Sequence, residues 1–149
     1  MYTYNASSTG LTGVIPTWVQ EGGHKAWIDR MKQPAPRKRL LADIRKELAQ
    51  QPPSGILMVG FKNDAMAKLY LGKTVAEAAI MRNQSPEETI IDMIIEDDSR
   101  IQCIYFSMSE ENIRKKIMLP WVSFDSDAGS YSDISKDFIT HPRAFGSFV

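Results

Sequence analysis

The chain has 149 residues, enough for a hydrophobic core, and its 43% hydrophobic and 24% charged residues are ordinary for a globular protein. Eighteen basic residues balance eighteen acidic ones, so the chain lacks the basic excess typical of proteins that bind nucleic acids or anionic membranes. No apolar run approaches membrane-spanning length, and the one cysteine, Cys103, suits a reducing compartment. We therefore predict a single domain over residues 1–149, located in the cytoplasm, with no nucleic-acid or membrane partner.

The N-terminal part of the chain predicts a strand end followed by helices. Residues 1–15 finish a strand and continue as a polar loop, because alternating tyrosines give way to serine, threonine and glycine. Residues 16–53 predict a helical insert, since Pro16 favours a helix start and Pro34 a helix boundary. The basic residues of its longest helix predict a solvated face, with a phosphate site as the alternative. The apolar stripe of that helix consists of Leu40, Leu41, Ile44 and Leu48.

Residues 54–130 predict a mixed α/β segment. Short runs of high β propensity at residues 56–59 and 101–106 predict strands. Thr74 and Ser85 each begin a capping box, in which a side chain and a backbone N–H at the helix start satisfy each other reciprocally. The order of these elements is that of part of a βα barrel with an inserted subdomain.

The stretch at residues 119–130 (LPWVSFDSDAGS) combines a short apolar run with acidic and small residues. The run at residues 121–124 predicts a buried strand that ends at Asp125 and Asp127. A carboxylate at the C-terminal end of a buried strand is where α/β barrels place their chemistry. An acidic turn, in which either aspartate bonds its own backbone, is the alternative that the pattern leaves open.

Four blocks of the chain, in order, resemble the N-acyl-D-amino-acid deacylases (D-aminoacylases), zinc amidohydrolases built on a distorted TIM barrel. The resemblance implies an α/β fold, or α+β as an isolated piece, made of a helix-rich insert and the last strands and helices of the barrel. It also implies a C-terminal-half fragment of a hydrolase that deacylates N-acyl-D-amino acids, and this fragment is expected to be inactive alone. The blocks are residues 2–11 (YTYNASSTGL), 16–23 (PTWVQEGG), 95–97 (IED) with 105–112 (YFSMSEEN), and 119–130 with a loop at 131–149 that contains HPRAFGSF.

The resemblance implies that Asp127 is the catalytic residue of the parent enzyme. The matching aspartate takes a proton from the metal-bound water and later gives one to the leaving amine. One carboxylate can do both, because zinc lowers the pKa of its water towards ~7 and a nearby base completes the transfer. Asp125 departs from the family, where we expect glycine, and it adds a like charge two residues from Asp127.

Five further residues are implied as substrate contacts. The hydroxyls of Tyr2 and Ser8 would contact the substrate carboxylate, and Arg143 could hold it through a planar bidentate contact. Tyr105 and Met108 match positions that line the acyl or side-chain pocket. The alternatives are a structural role for Arg143 in its loop and simple core packing for Tyr105 and Met108.

The zinc of the family is held by a His-x-His pair, a cysteine and further histidines, all before the matched segment. His24 and His141 do not have this spacing, and Cys103 lies in an apolar run that predicts a core residue. We therefore expect zinc in the parent enzyme and none in this chain. As a fragment, the chain should self-associate through apolar edges at residues 56–59 and 121–124. The alternative function is a non-catalytic α+β module that binds a partner.

Overall fold

The computed structural model describes Met1 and residues 3–124. These residues belong to two compact units, one formed by residues 7–106 and the other by Met1, residues 3–6 and residues 107–124. The prediction of a single domain stays a prediction. The strands of the first unit are β1 (Ser7–Gly10), β2 (Ile56–Gly60) and β3 (Gln102–Tyr105). Its helices are α1 (Thr17–Gln20), α2 (Gly23–Lys32), α3 (Pro34–Gln50), α4 (Asp64–Tyr70), α5 (Val75–Arg82) and α6 (Pro86–Asp97), with 3₁₀ turns at Leu11–Val14 and Pro53–Gly55.

The three strands form one small sheet in the order β1-β3-β2, and both pairings are antiparallel. The predicted α+β character is therefore confirmed, as a helix-rich chain with a small sheet. Successive strands of a βα barrel run parallel, so β2 and β3 do not pair as neighbouring barrel strands would. Pairing direction depends on the path of α4, α5 and α6 between the two strands. Local propensity does not encode that path.

The predicted strand at residues 56–59 is confirmed as β2, but its expected exposed edge is not found. The Met58 N–H donates to the Lys73 carbonyl at 2.9 Å, and the Gly72 N–H donates to the Met58 carbonyl at 2.9 Å. Ile56 and Met58 are fully buried. The segment before α5 therefore covers the outer edge of β2 and satisfies part of its backbone.

Helix α6 and its neighbour α3 supply the centre of the core. Both predicted capping boxes are present, and the one at Ser85 begins α6, on which Ile90 and Ile94 are fully buried. On α3 the apolar stripe buries Leu40 and Ile44 against the same core. The basic side of α3 is only partly solvated. Two of its arginines bond carboxylates of α6, Arg37 to Asp92 at 2.7 Å and Arg45 to Glu87 through Nε at 2.7 Å.

Strand β1 lies later than the sequence suggested. The tyrosine alternation predicted a strand end at the first residues, whereas pairing with β3 begins at Ser7, opposite Tyr105. Three of the four residues of β1 are serine or glycine, which have low or moderate β propensity, so the pairing depends on the partner strand more than on local preference.

The second unit contains helix α7 (Glu110–Ile117), and Ser109 is its N-cap. The hydroxyl oxygen of Ser109 accepts the N–H of Asn112 at 3.4 Å. The predicted buried strand at residues 121–124 is wrong, because these residues form a turn and irregular backbone, with Trp121 77% exposed and Phe124 47% exposed. Among the described residues of this unit the apolar run has no partner strand, and only Val122 of the four residues is half-buried. In residues 3–124 no helix is both long and apolar enough to cross a bilayer.

Candidate functional site

Half of the predicted site residues lie outside the described part of the chain. These are Asp127, Arg143 and Tyr2, and their assigned roles stay predictions. Asp125 and His141, which are not assigned to the site, also lie outside the described part of the chain. Ser8, Tyr105 and Met108 lie within the described residues.

Ser8 lies on β1 with its side chain exposed, and its hydroxyl donates to the Cys103 carbonyl at 3.3 Å. In the antiparallel pairing Ser8 faces Ile104, whereas Tyr105 faces Ser7. Residues directly opposite each other project to the same side of a sheet, and successive residues alternate between its two sides. Ser8 and Tyr105 therefore project to opposite faces, and the sheet does not bring them into one site.

Tyr105 is a core residue of the first unit. Its side chain is 7% exposed, and its hydroxyl donates to the Gly10 carbonyl at 2.9 Å. Burial raises the pKa of the phenol well above its ordinary value. A buried phenol that donates to a backbone carbonyl ties β3 to the end of β1. These contacts favour the packing alternative over the predicted pocket lining.

Met108 lies on a surface groove of about 480 Å³ in the second unit. Its side chain is half-buried, and its N–H donates to the Asn5 carbonyl at 3.2 Å, which holds the backbone in place beside α7. The apolar surface of the groove comes from Met108, Ile113 and Val122. The remaining lining residues are Met1, Ser107, Ser109, Asn112 and Lys116.

This groove combines apolar surface with one cationic side chain. An acyl chain or apolar side chain would contact Met108 and Ile113, while the ammonium of Lys116 offers a positive charge for a carboxylate. Asn112 and Lys116 are four residues apart on α7, so both side chains lie on one face of the helix. The sequence analysis missed these two residues. Their spacing next to Met108 is the signal that could have found them.

Two groups of polar residues near the end of α6 also escaped the sequence analysis. The Asp98 carboxylate contacts Lys62 Nζ at 2.7 Å and His24 Nε2 at 2.9 Å. Both contacts hold the pKa of Asp98 below its ordinary value, with Lys62 the larger cause. The side chains of all three residues are well exposed, so the group is a surface ion-pair cluster. The second group consists of Lys62, Asn63 and Ser99, which donate hydrogen bonds to the buried carboxylate of Asp97.

The described residues do not fit a zinc ion. Within residues 3–124 no three His, Cys, Asp or Glu side chains cluster as ligands. Cys103 is fully buried, and burial raises the pKa of its thiol to about 12, so the metal-binding thiolate is disfavoured. The prediction that this residue fills space in the core is therefore supported.

No protein-family model matches the chain, and neither the curated proteins nor the solved structures contain a significant match.

Proposed function

We propose that this chain is part of an N-acyl-D-amino-acid deacylase, a zinc-dependent hydrolase that cleaves the amide bond of an N-acyl-D-amino acid to a carboxylate and a free D-amino acid. The proposal rests on four sequence blocks that occur in the family's order from residue 2 to residue 148. In this proposal residues 16–53 are the helical insert, and residues 54–130 are the mixed α/β segment that leads to Asp127. Because β2 and β3 pair antiparallel, the proposal does not treat these two strands as neighbours in the barrel.

The structural observation that most supports the proposal is the groove beside Met108. The family resemblance assigns Met108 to the pocket that receives the acyl group or side chain of the substrate. Met108 lines a groove whose lining includes apolar side chains and Lys116. An N-acyl-amino acid has the matching chemistry, an apolar chain joined to a carboxylate. Asp127 is proposed to accept a proton as water attacks the amide carbonyl and to return it to the leaving amine. The single cysteine supports a reducing compartment, and we propose the cytoplasm.

In the parent enzyme zinc would supply Lewis-acid activation of the amide and of the attacking water. Because the described residues do not fit the metal, the proposal assigns no step through zinc to them. Their proposed contribution is to bind and orient the substrate.

A second candidate function, a non-catalytic module that binds a protein partner, is favoured by the exposed apolar side chains. Ile80, Met118 and Trp121 are 80%, 77% and 77% exposed. Scattered exposed apolar residues are normal on protein surfaces, but a tryptophan this exposed often marks an interface. In this reading the groove would receive a side chain of the partner.

Transplanting the chain into a family enzyme separates the two candidates. The matching segment of a D-aminoacylase would be replaced by residues 1–149, and deacylation of N-acetyl-D-methionine and of its L enantiomer would be measured by release of free amine. The control is the same enzyme with the segment deleted. Hydrolysis of the D enantiomer alone supports the proposal. A folded chimera that holds zinc and hydrolyses neither enantiomer contradicts it.

A further inference from the structure

The turn between α6 and β3 contains a strained buried residue. Ile101 has φ of +45°, in the left-handed region, and its side chain is 1% exposed. A β-branched residue is a genuine outlier there, because its Cβ crowds the following carbonyl oxygen. Asp98, at the other end of the turn, has φ of +48° but tolerates this region better. A residue stays strained only where its surroundings leave it no alternative.

The carboxylate of Asp97 holds this turn on one side. Asp97 is 1% exposed and accepts three hydrogen bonds, from the N–H of Lys62 at 3.1 Å, from the N–H of Asn63 at 2.9 Å and from the hydroxyl of Ser99. The oxygen of that same hydroxyl accepts the N–H of Ile101 at 3.0 Å. A chain of hydrogen bonds therefore joins the loop between β2 and α4 to the strained residue.

The end of β1 holds the turn on its other side. The N–H of Leu11 donates to the carbonyls of both Arg100 and Ile101, at 2.8 and 2.7 Å. Gly10 approaches the turn so closely that a Cβ built on it would lie 3.0 Å from the Cβ of Arg100. The two backbones are thus packed tightly at this point.

We propose that the Asp97 carboxylate holds the turn at residues 97–101 in a strained conformation. Through this turn the conformation of the β2–α4 loop is coupled to that of the start of the 3₁₀ turn at Leu11. When the carboxylate loses its hydrogen bonds, Ser99 is released, Ile101 returns to ordinary backbone angles, and the shared acceptors of the Leu11 N–H separate. This device is independent of the deacylase proposal, because all its residues belong to the first unit and none is assigned to the substrate.

Amide hydrogen exchange on the 149-residue chain tests the coupling. In Asp97→Asn, exchange should accelerate by at least about tenfold at Lys62 and Asn63, as expected for losing hydrogen bonds to a charged group, and also at Ile101 and Leu11, which the carboxylate does not touch. The control is Glu96→Gln, which neutralises the neighbouring carboxylate on the exposed side of α6. Acceleration confined to Lys62 and Asn63, or equal acceleration of every amide including those of α3, would overturn the proposal.

A pair of substitutions at Ile101 tests the strain independently. Ile101→Ala and Ile101→Gly both remove the buried side chain, but only glycine also removes the Cβ that crowds the left-handed backbone. Alanine is ordinarily the more stabilising of the two, because glycine has more freedom in the unfolded chain. At a strained left-handed position the order reverses. We expect Ile101→Gly to melt above Ile101→Ala, and the opposite order would show that the turn stores no strain.

Discussion

Removing the Ser85 hydroxyl at the start of α6 should lower the free energy of unfolding by about 1 kcal/mol, the usual value for replacing a helix N-cap by alanine. The hydroxyl oxygen of Ser85 accepts the N–H of Glu88 at 3.3 Å, and the Glu88 carboxylate accepts the N–H of Ser85 at 3.3 Å. Ser85→Ala removes the first of these bonds and the 2.9 Å contact between the two side chains.

The structure gives reasons to expect this full cost. Pro86 fixes the backbone of the first helical position, and Glu87 is tied to Arg45 of α3, so the start of α6 cannot fray to relieve the loss. For a chain of this length, ~1 kcal/mol corresponds to a melting temperature about 2–4 °C lower. Ser85→Gly should cost only a few tenths of a kcal/mol, because glycine is tolerated as an N-cap.

Thermal unfolding followed by far-ultraviolet circular dichroism measures these differences, with urea unfolding as a second readout. Ser54→Ala is the matched control, because the Ser54 side chain is exposed in the 3₁₀ turn before β2. Refutation would take either of two results: Ser85→Ala indistinguishable from wild type, or Ser85→Gly less stable than Ser85→Ala.

Three further predictions concern charge, reactivity and association. Because its neighbours lower the pKa of Asp98, the stability this residue contributes is present above its unfolded pKa, near 3.8, and is lost as the pH falls through the lower folded value. Asp98→Asn should therefore be less stable than wild type at neutral pH and converge with it in acid, whereas a constant difference across a pH series of urea titrations would contradict this. The Cys103 thiol, with its pKa raised to about 12 by burial, should resist iodoacetamide at pH 8 in the native chain and react once urea unfolds it; rapid labelling without denaturant would argue otherwise. Trp121→Ser should weaken any self-association seen by sedimentation at high concentration, because Trp121 is 77% exposed, whereas Ser54→Ala should not; equal behaviour of the two variants would count against Trp121 as a contact.

Local signals in the sequence predicted most of the helices. The boxes at Thr74 and Ser85 involve only residues close in sequence, so their chemistry is readable without knowledge of the fold, and both are present. The apolar stripe of α3 has the same local character, since Leu40 and Ile44 are one turn apart. The sequence of the stretch that forms α4 predicts only weakly helical or irregular structure. Its beginning depends on Asn63, whose side chain accepts the N–H groups of Ala65 and Met66.

Long-range pairing accounts for what the sequence could not predict. Antiparallel pairing of β1 with β3 joins residues about ninety-five positions apart, and the low β propensity of Ser7 and Gly10 gives no sign of it. Residues 121–124 show the reverse case. Their β propensity is strong, but they form no strand, because no described strand pairs with them. The same reasoning applies to the site. Tyr105 matches a pocket-lining position, but in the pairing with β1 it lies opposite Ser7 and its side chain projects into the core. Met108, by contrast, lines a groove.

Turnover of Asp127→Asn in the D-aminoacylase chimera tests the central claim most directly. This substitution keeps the size and hydrogen bonding of the side chain while removing its basicity, so kcat should fall by roughly 100- to 10,000-fold, as is typical of a lost general base. Asp125→Gly, which restores the residue expected in the family, should be mild or even beneficial. If Asp127→Asn retained most of the activity while Asp125→Asn abolished it, the assignment of the proton-transfer residue would be contradicted.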